Sequence, residues 1–180
     1  MAGTSLIERF VSRAGAVQCE VLVTGSLIEA CDKLVDCIGE AAPVVISGFD
    51  GETTSLIERR LSDEGIKCHV GSVRDLLPGF SVAVTPGHAG ISETGTVVIE
   101  STSEDVRLAS MLADRHFILM PSSTLYSELP EVESLLEEML QRPGAYVAFI
   151  TGPSRTADIE RVLTIGVHGP REVTVILYGE

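Results

Sequence analysis

The 180 residues suffice for one domain, or one with a small appendage, and 44% hydrophobic with 22% charged residues is the composition of a soluble globular protein. A chain of this length buries roughly 70% of its unfolded surface, so it needs neither disulfide nor metal to fold. Thirteen basic against 26 acidic residues leave a formal charge of −13, which argues against holding nucleic acid or an anionic membrane surface through a general field. An anionic ligand would need local donors. The N-terminal residues lack the apolar core of a signal peptide, and no apolar run reaches the ~20 residues that span a bilayer, so the expected location is cytoplasmic.

Apolar runs alternate with amphipathic ones, with no internal repeat. Residues 5–11 carry apolar side chains at 6, 7, 10 and 11, a helical stripe. Val21-Leu22-Val23 reads as a strand. Residues 26–39 read as a helix, with Ser26 at its N-cap and Glu29 completing a capping box. The run 43–47 is a short strand buried on both faces, and residues 53–64 form a helix ended by Gly65. Strands follow at 67–70, 80–85 and 96–99, then a helix at 105–112, a strand at 116–120 and a helix at 131–141. A strand at 145–150, a helix at 157–165 and a strand at 173–178 complete the series. This alternation predicts an α/β fold with a mostly parallel sheet flanked by helices, whose ligands bind beyond the carboxyl ends of the strands.

Cys19, Cys31, Cys37 and Cys68 are 12, 6 and 31 residues apart, and none of these intervals is the Cys-x-x-Cys spacing of a cluster or zinc site. They read as reduced packing residues, and the sequence predicts no metal and no cofactor. His69 and His116 read as structural histidines, and Glu131, Glu133, Glu137 and Glu138 as a solvated helix face.

Three loops concentrate the polar chemistry. In Thr151-Gly152-Pro153-Ser154-Arg155-Thr156-Ala157-Asp158, a strand leads into the helix expected at 157–165, whose first N–H groups favour an anion. Gly152 permits close approach, Ser154 and Thr156 add hydroxyls, Arg155 offers a carboxylate fork, and Asp158 pairs with Arg155 or a ligand hydroxyl. A purely structural role makes Thr156 an N-cap and Asp158 a first-turn acid. In Gly166-Val167-His168-Gly169-Pro170-Arg171-Glu172, Gly166 caps the preceding helix and Gly169-Pro170 forces a turn, neither of which requires His168 or Arg171. His168 is an acid, base or ligand, or a turn histidine bonded to backbone. In the loop from Pro86 to Thr96, Glu93 stands beside Thr94, Gly95 and Thr96, as a base, a nucleophile, or an anchor for backbone N–H groups.

At these loops the chain resembles the lactate-utilisation protein C family, the stand-alone form of the LUD domain. Residues 91–98, Ile-Ser-Glu-Thr-Gly-Thr-Val-Val, are similar to its Ala-Glu-Thr-Gly-Thr signature. Residues 149–160 and 166–172 are similar to its C-terminal signature. The likeness is close over residues 80–178 and diffuse over 1–79, within a single expected domain of 1–180. Ser92 stands where the family carries alanine, and Thr174 where relatives often carry histidine. The resemblance implies a fold similar to the sugar-phosphate isomerase and CoA-transferase group. It also implies a cluster-free subunit in lactate oxidation to pyruvate, partnered by iron–sulfur subunits.

On that basis Arg155 and Arg171 grip a small carboxylate, with Gly152, Ser154, Thr156 and Gly169 around it, while His168 and Glu93 manage protons or hydroxyls. Two other functions compete. One is a stand-alone transferase or isomerase on a CoA-linked or phosphorylated substrate, with Glu93 as nucleophile. The other is a non-catalytic anion-binding protein. All three require residues near 93, 155 and 168 to meet at one mouth of the sheet.

Overall fold

The computed structural model describes residues 5–39, 43–77, 79–156, 164–166 and 168–179. In chain order the elements are α1 (Leu6–Ala16), β1 (Glu20–Thr24), α2 (Leu27–Ile38), β2 (Val44–Ile46), α3 (Gly51–Asp63), β3 (Cys68–Val70) and β4 (Val82–Pro86). They continue with β5 (Ala89–Ile91), β6 (Thr96–Glu100), α4 (Glu104–Leu112), β7 (Arg115–Pro121), β8 (Leu125–Tyr126), α5 (Glu133–Leu140) and β9 (Val147–Ile150). The short β10 (Arg155–Thr156) and β11 (Thr164–Ile165) precede β12 (Glu172–Tyr178).

Six strands form one sheet in the order β1-β12-β7-β4-β2-β3, every pair parallel. This is the mostly parallel, helix-flanked α/β architecture that the alternating pattern predicts. Its inner strands are apolar on both faces because helices cover both. Leu34, Ile38, Ile57 and Leu61 of α2 and α3 pack on Val44, Ile46, Val82, Phe117 and Ile176. On the opposite face, Phe10 and Ala14 of α1 and Val97 and Ile99 of β6 pack on Ile118, Met120, Val175 and Leu177.

A second sheet, β8-β5-β6-β9, was not foreseen. Its strand β5 lies inside the glycine-containing stretch read as loop, and β5 and β6 pair antiparallel across a tight turn that leaves no room for a crossover helix. Helix α5 covers its outer face through Leu135, Leu136 and Met139. The helix expected at 157–165 is also corrected at its end: Thr164–Ile165 is a strand paired antiparallel with Arg155–Thr156, and residues 157–163 lie outside the described residues.

At α2, Ser26 accepts the Glu29 N–H, but the Glu29 carboxylate accepts the Gly25 N–H at 2.7 Å instead of closing the expected box on Ser26. The complete capping box belongs to α1, between Ser5 and Glu8. All four cysteines are free thiols; burial pushes Cys19 up to about 12 and Cys31 up to about 11.

Phe10 is fully buried and joins α1 to the sheet. Phe10→Ala is expected to lower the unfolding free energy by about 3–5 kcal/mol, read from urea denaturation at pH 7. A loss below about 1 kcal/mol would contradict this packing.

Candidate active site

Strand β9 pairs with β6 so that Thr151, just past its end, meets Thr96, and three hydroxyls join there. Thr94 Oγ1 lies 2.7 Å from Thr96 Oγ1, which lies 2.8 Å from Thr151 Oγ1. This chain connects the β5–β6 turn to the loop after β9. Two glycines press the same corner against the end of α1. Gly95 has φ +68°, and a Cβ there would sit 2.3 Å from the Ala14 nitrogen; Gly152 has φ +72°, and a Cβ would sit 2.2 Å from the Val17 oxygen. Only glycine satisfies both the backbone angle and the approach. Arg155 seals the corner by donating from Nη2 to the Val17 carbonyl.

The second loop is laid onto the first. Ser154 donates its N–H to the Pro170 carbonyl at 2.8 Å and accepts the Gly166 N–H at 2.9 Å. A Cβ on Gly169 would approach Ser154 Cβ to 2.9 Å. Between them opens a cleft of about 300 Å³, with Thr151, Gly152 and Ser154 on one side and His168, Gly169 and Pro170 on the other. Exposed Met111 and Phe149 form its apolar lip, and His116 borders it from below.

The cleft lies where β7 and β12 begin, beside the His116–Val173 pair. It is therefore at the amino ends of the large sheet, not at the carboxyl ends expected from parallel topology. The reason is local: the turn at 168–171 must feed the first residue of β12, and β9, which delivers the other wall, belongs to the small sheet.

The predicted site residues divide, and positions 93, 155 and 168 do not line one cleft as the three expected functions required. Gly152, Ser154, His168 and Gly169 line the cleft, and Thr96 reaches it through Thr151. Arg155, read as a carboxylate fork, bonds backbone instead. Arg171 stands 3.8 Å from Asp114 and borders a neighbouring hollow with Glu20 and Glu172. Its N–H donates to the Asp114 carbonyl at 2.8 Å, fixing the entry to β12. Glu93 is exposed on the β5–β6 turn, its N–H donating to the Ser127 carbonyl at 3.0 Å, and it does not line the cleft. Thr156 pairs with Thr164 in the β10–β11 ladder, so it is not the N-cap expected there. Gly166, expected to cap a helix, follows β11 with φ +72°. Asp158 lies outside the described residues.

His116, which the sequence reads as a structural histidine, also borders the cleft. It is 1% exposed, its Nε2 lies 2.8 Å from Thr85 Oγ1, and its Nδ1 has no partner among the described residues. A buried polar group left unpaired costs about 1–3 kcal/mol, so such groups concentrate where a ligand or function supplies the partner. Burial lowers the His116 pKa to about 4, leaving the ring neutral at pH 7. No local signal marks the pair, because Thr85 and His116 meet only when β4 and β7 align.

The lining is chemically selective. No carboxylate borders the cleft among the described residues, although the chain holds 26 acidic residues. Three other hollows each carry at least one: Asp50 and Glu52, Glu100 and Glu138, or Glu20 and Glu172. Imidazole and hydroxyl donors on an apolar wall, without competing acids, suit a small anion. Among the described residues no group of three or more His, Cys, Asp and Glu is placed to hold a metal, and no helix is long and apolar enough to cross a membrane.

A family model described as LUD domain matches residues 7–178. "Lactate utilization protein C" of Macrococcus caseolyticus is 29% identical over 175 residues, covering 89% of this chain and 74% of that protein. The protein of the same name from Geobacillus kaustophilus is 34% identical over 90 residues, covering 48% of this chain and only 38% of its own length. "Uncharacterized protein YkgG" of Escherichia coli is 30% identical over 184 residues, covering 94% of this chain and 76% of its own. The crystal structure of a duf162 family protein from Deinococcus radiodurans superposes with a TM-score of 0.69 at 19% identity, over 98% of this chain and 100% of that one, which establishes likeness of fold.

The depressed pKa of His116 has a direct thermodynamic sign. Between its unfolded value of 6.5 and its folded value of about 4, the unfolded chain binds a proton that the native state refuses. Its contribution is therefore complete above pH 6.5 and is lost as pH falls toward 4, by about 3 kcal/mol in all. Urea midpoints measured from pH 7 to pH 4 should show this loss in the native protein and a shallower one in His116→Asn. Equal slopes would place the ring in contact with water.

Proposed function

Because this chain belongs to the LUD-domain family, we propose that it serves lactate utilisation as a cluster-free component that binds a small carboxylate in the cleft between residues 151–154 and 168–170. The carrying observation is that no carboxylate among the described residues lines this cleft, in a chain of charge −13. Its volume of about 300 Å³ is at the small end of ligand pockets and accommodates a small acid. The names of the Macrococcus and Geobacillus relatives supply the metabolic context.

In this reading His168 and the hydroxyls of Thr151 and Ser154 hold the carboxylate, and Gly152 and Gly169 let backbone come close. Arg155 and Arg171 act from behind: the first anchors the loop to α1, the second anchors the turn to Asp114. Oxidation of lactate to pyruvate releases two electrons and two protons. We assign the electron acceptor to the iron–sulfur partner subunits that the family resemblance implies; no cysteine interval in this chain has cluster spacing.

Calorimetry with lactate, pyruvate, sugar phosphates and CoA should detect binding of the small carboxylates. His168→Ala should weaken it by about tenfold or more while circular dichroism stays unchanged. Preference for CoA or a sugar phosphate would replace this reading with the transferase one. Co-purification with cluster-bearing proteins is expected from cells growing on lactate; a purified chain that oxidises lactate alone, with a dye as acceptor, would overturn the accessory role.

A further inference from the structure

Buried histidines normally have both ring nitrogens occupied. At His116, Thr85 Oγ1 occupies Nε2 at 2.8 Å, whereas Nδ1 is buried without a partner among the described residues. The strands on either side offer it nothing, because the register partners of His116 are Ala83 and Val173. The ring is one of the walls of the cleft that Thr151, Ser154 and His168 also line.

A hydroxyl both donates and accepts, so Thr85 can hold either neutral tautomer of the ring. When Thr85 donates to Nε2, Nδ1 carries the proton and donates to a carbonyl oxygen. When Nε2 donates to Thr85, Nδ1 is a bare acceptor for a hydroxyl. The ring stays uncharged in both, because its burial opposes protonation. Such a group suits a neutral oxygen, and the exposed His168 suits the carboxylate.

We propose that His116, oriented by Thr85, is a ligand-binding residue that reads the uncharged oxygen beside the carboxylate, accepting from the hydroxyl of a 2-hydroxy acid or donating to the carbonyl of a 2-oxo acid. The inference rests on the reading of the cleft as a small-carboxylate site. It adds the element that separates such acids from plain carboxylates of equal length.

The test compares lactate, pyruvate and propionate, which lacks the second oxygen. The native chain should bind lactate and pyruvate about tenfold or more tighter than propionate, the effect of one buried hydrogen bond. His116→Gln, whose amide reaches toward Thr85 but leaves the Nδ1 position empty, should erase that preference and leave propionate binding unchanged. In the native chain labelled with 15N-histidine, the Nδ1 resonance of His116 should move when pyruvate is added, a readout that needs no variant to fold. Propionate binding as tightly as lactate, a preference retained in H116Q, or an unmoved Nδ1 resonance each overturns this inference alone. Failure of all three acids to bind the native chain removes the cleft reading and this inference with it.

Discussion

Strand β12 lies between β1 and β7, paired along five residues with one and seven with the other. The end of the described chain is thus an inner strand of its largest sheet. Backbone groups of an inner strand have no access to water, so each must find its ladder partner. Val173, Val175 and Leu177 fill one core and Ile176 the other, which locks the register, since a one-residue slip would exchange the two faces. The chain just before β12 has correspondingly little freedom: the N–H groups of Arg171 and Glu172 both donate to the Asp114 carbonyl.

The cleft is a by-product of that closure. Pro170 is held at the entry to β12, Ser154 is hydrogen-bonded to Pro170, and Gly152 is pressed on Val17. One wall therefore moves with the large sheet and the other with the small sheet and α1. The threonine chain from Thr94 to Thr151 ties the wall to the β5–β6 turn. Holding polar groups on rigid elements in this way lowers the ordering cost a ligand must meet. Among the described residues the lining consists of hydroxyls, imidazoles and apolar walls, with no carboxylate, although the chain as a whole is strongly acidic.

Much of the framework was legible in advance. The apolar spacing of α2, with Ala30, Cys31, Leu34 and Ile38 on one side, reports a helix covering a core, and the wholly buried Val44–Ile46 reports an inner strand. The failures have physical causes. Ala89–Ile91 is too short and too glycine-containing to announce a strand, and it becomes one because β6 and β8 flank it. Thr164–Ile165 looked like the end of a helix, but pairing with Arg155–Thr156 overrode local preference. In the site, density of polar residues pointed to 151–156 and 166–171, yet Arg155 and Arg171 turned out to serve backbone and Asp114. Residue type alone does not reveal which partner an arginine takes.

The amino-acid order by itself determined helices α1 to α5 and the strands of the large sheet, that its inner strands are buried on both faces, and which loops carry the polar groups. These are short-range properties, written in periodicity, capping residues and glycine placement. Tertiary structure alone decided that the cleft opens at the amino ends of the strands, that Glu93 stays outside it, and that His116 meets Thr85 beneath it. Those outcomes depend on which strands become neighbours, and strand order is set by the burial of whole faces against one another, a sum over residues far apart in the chain.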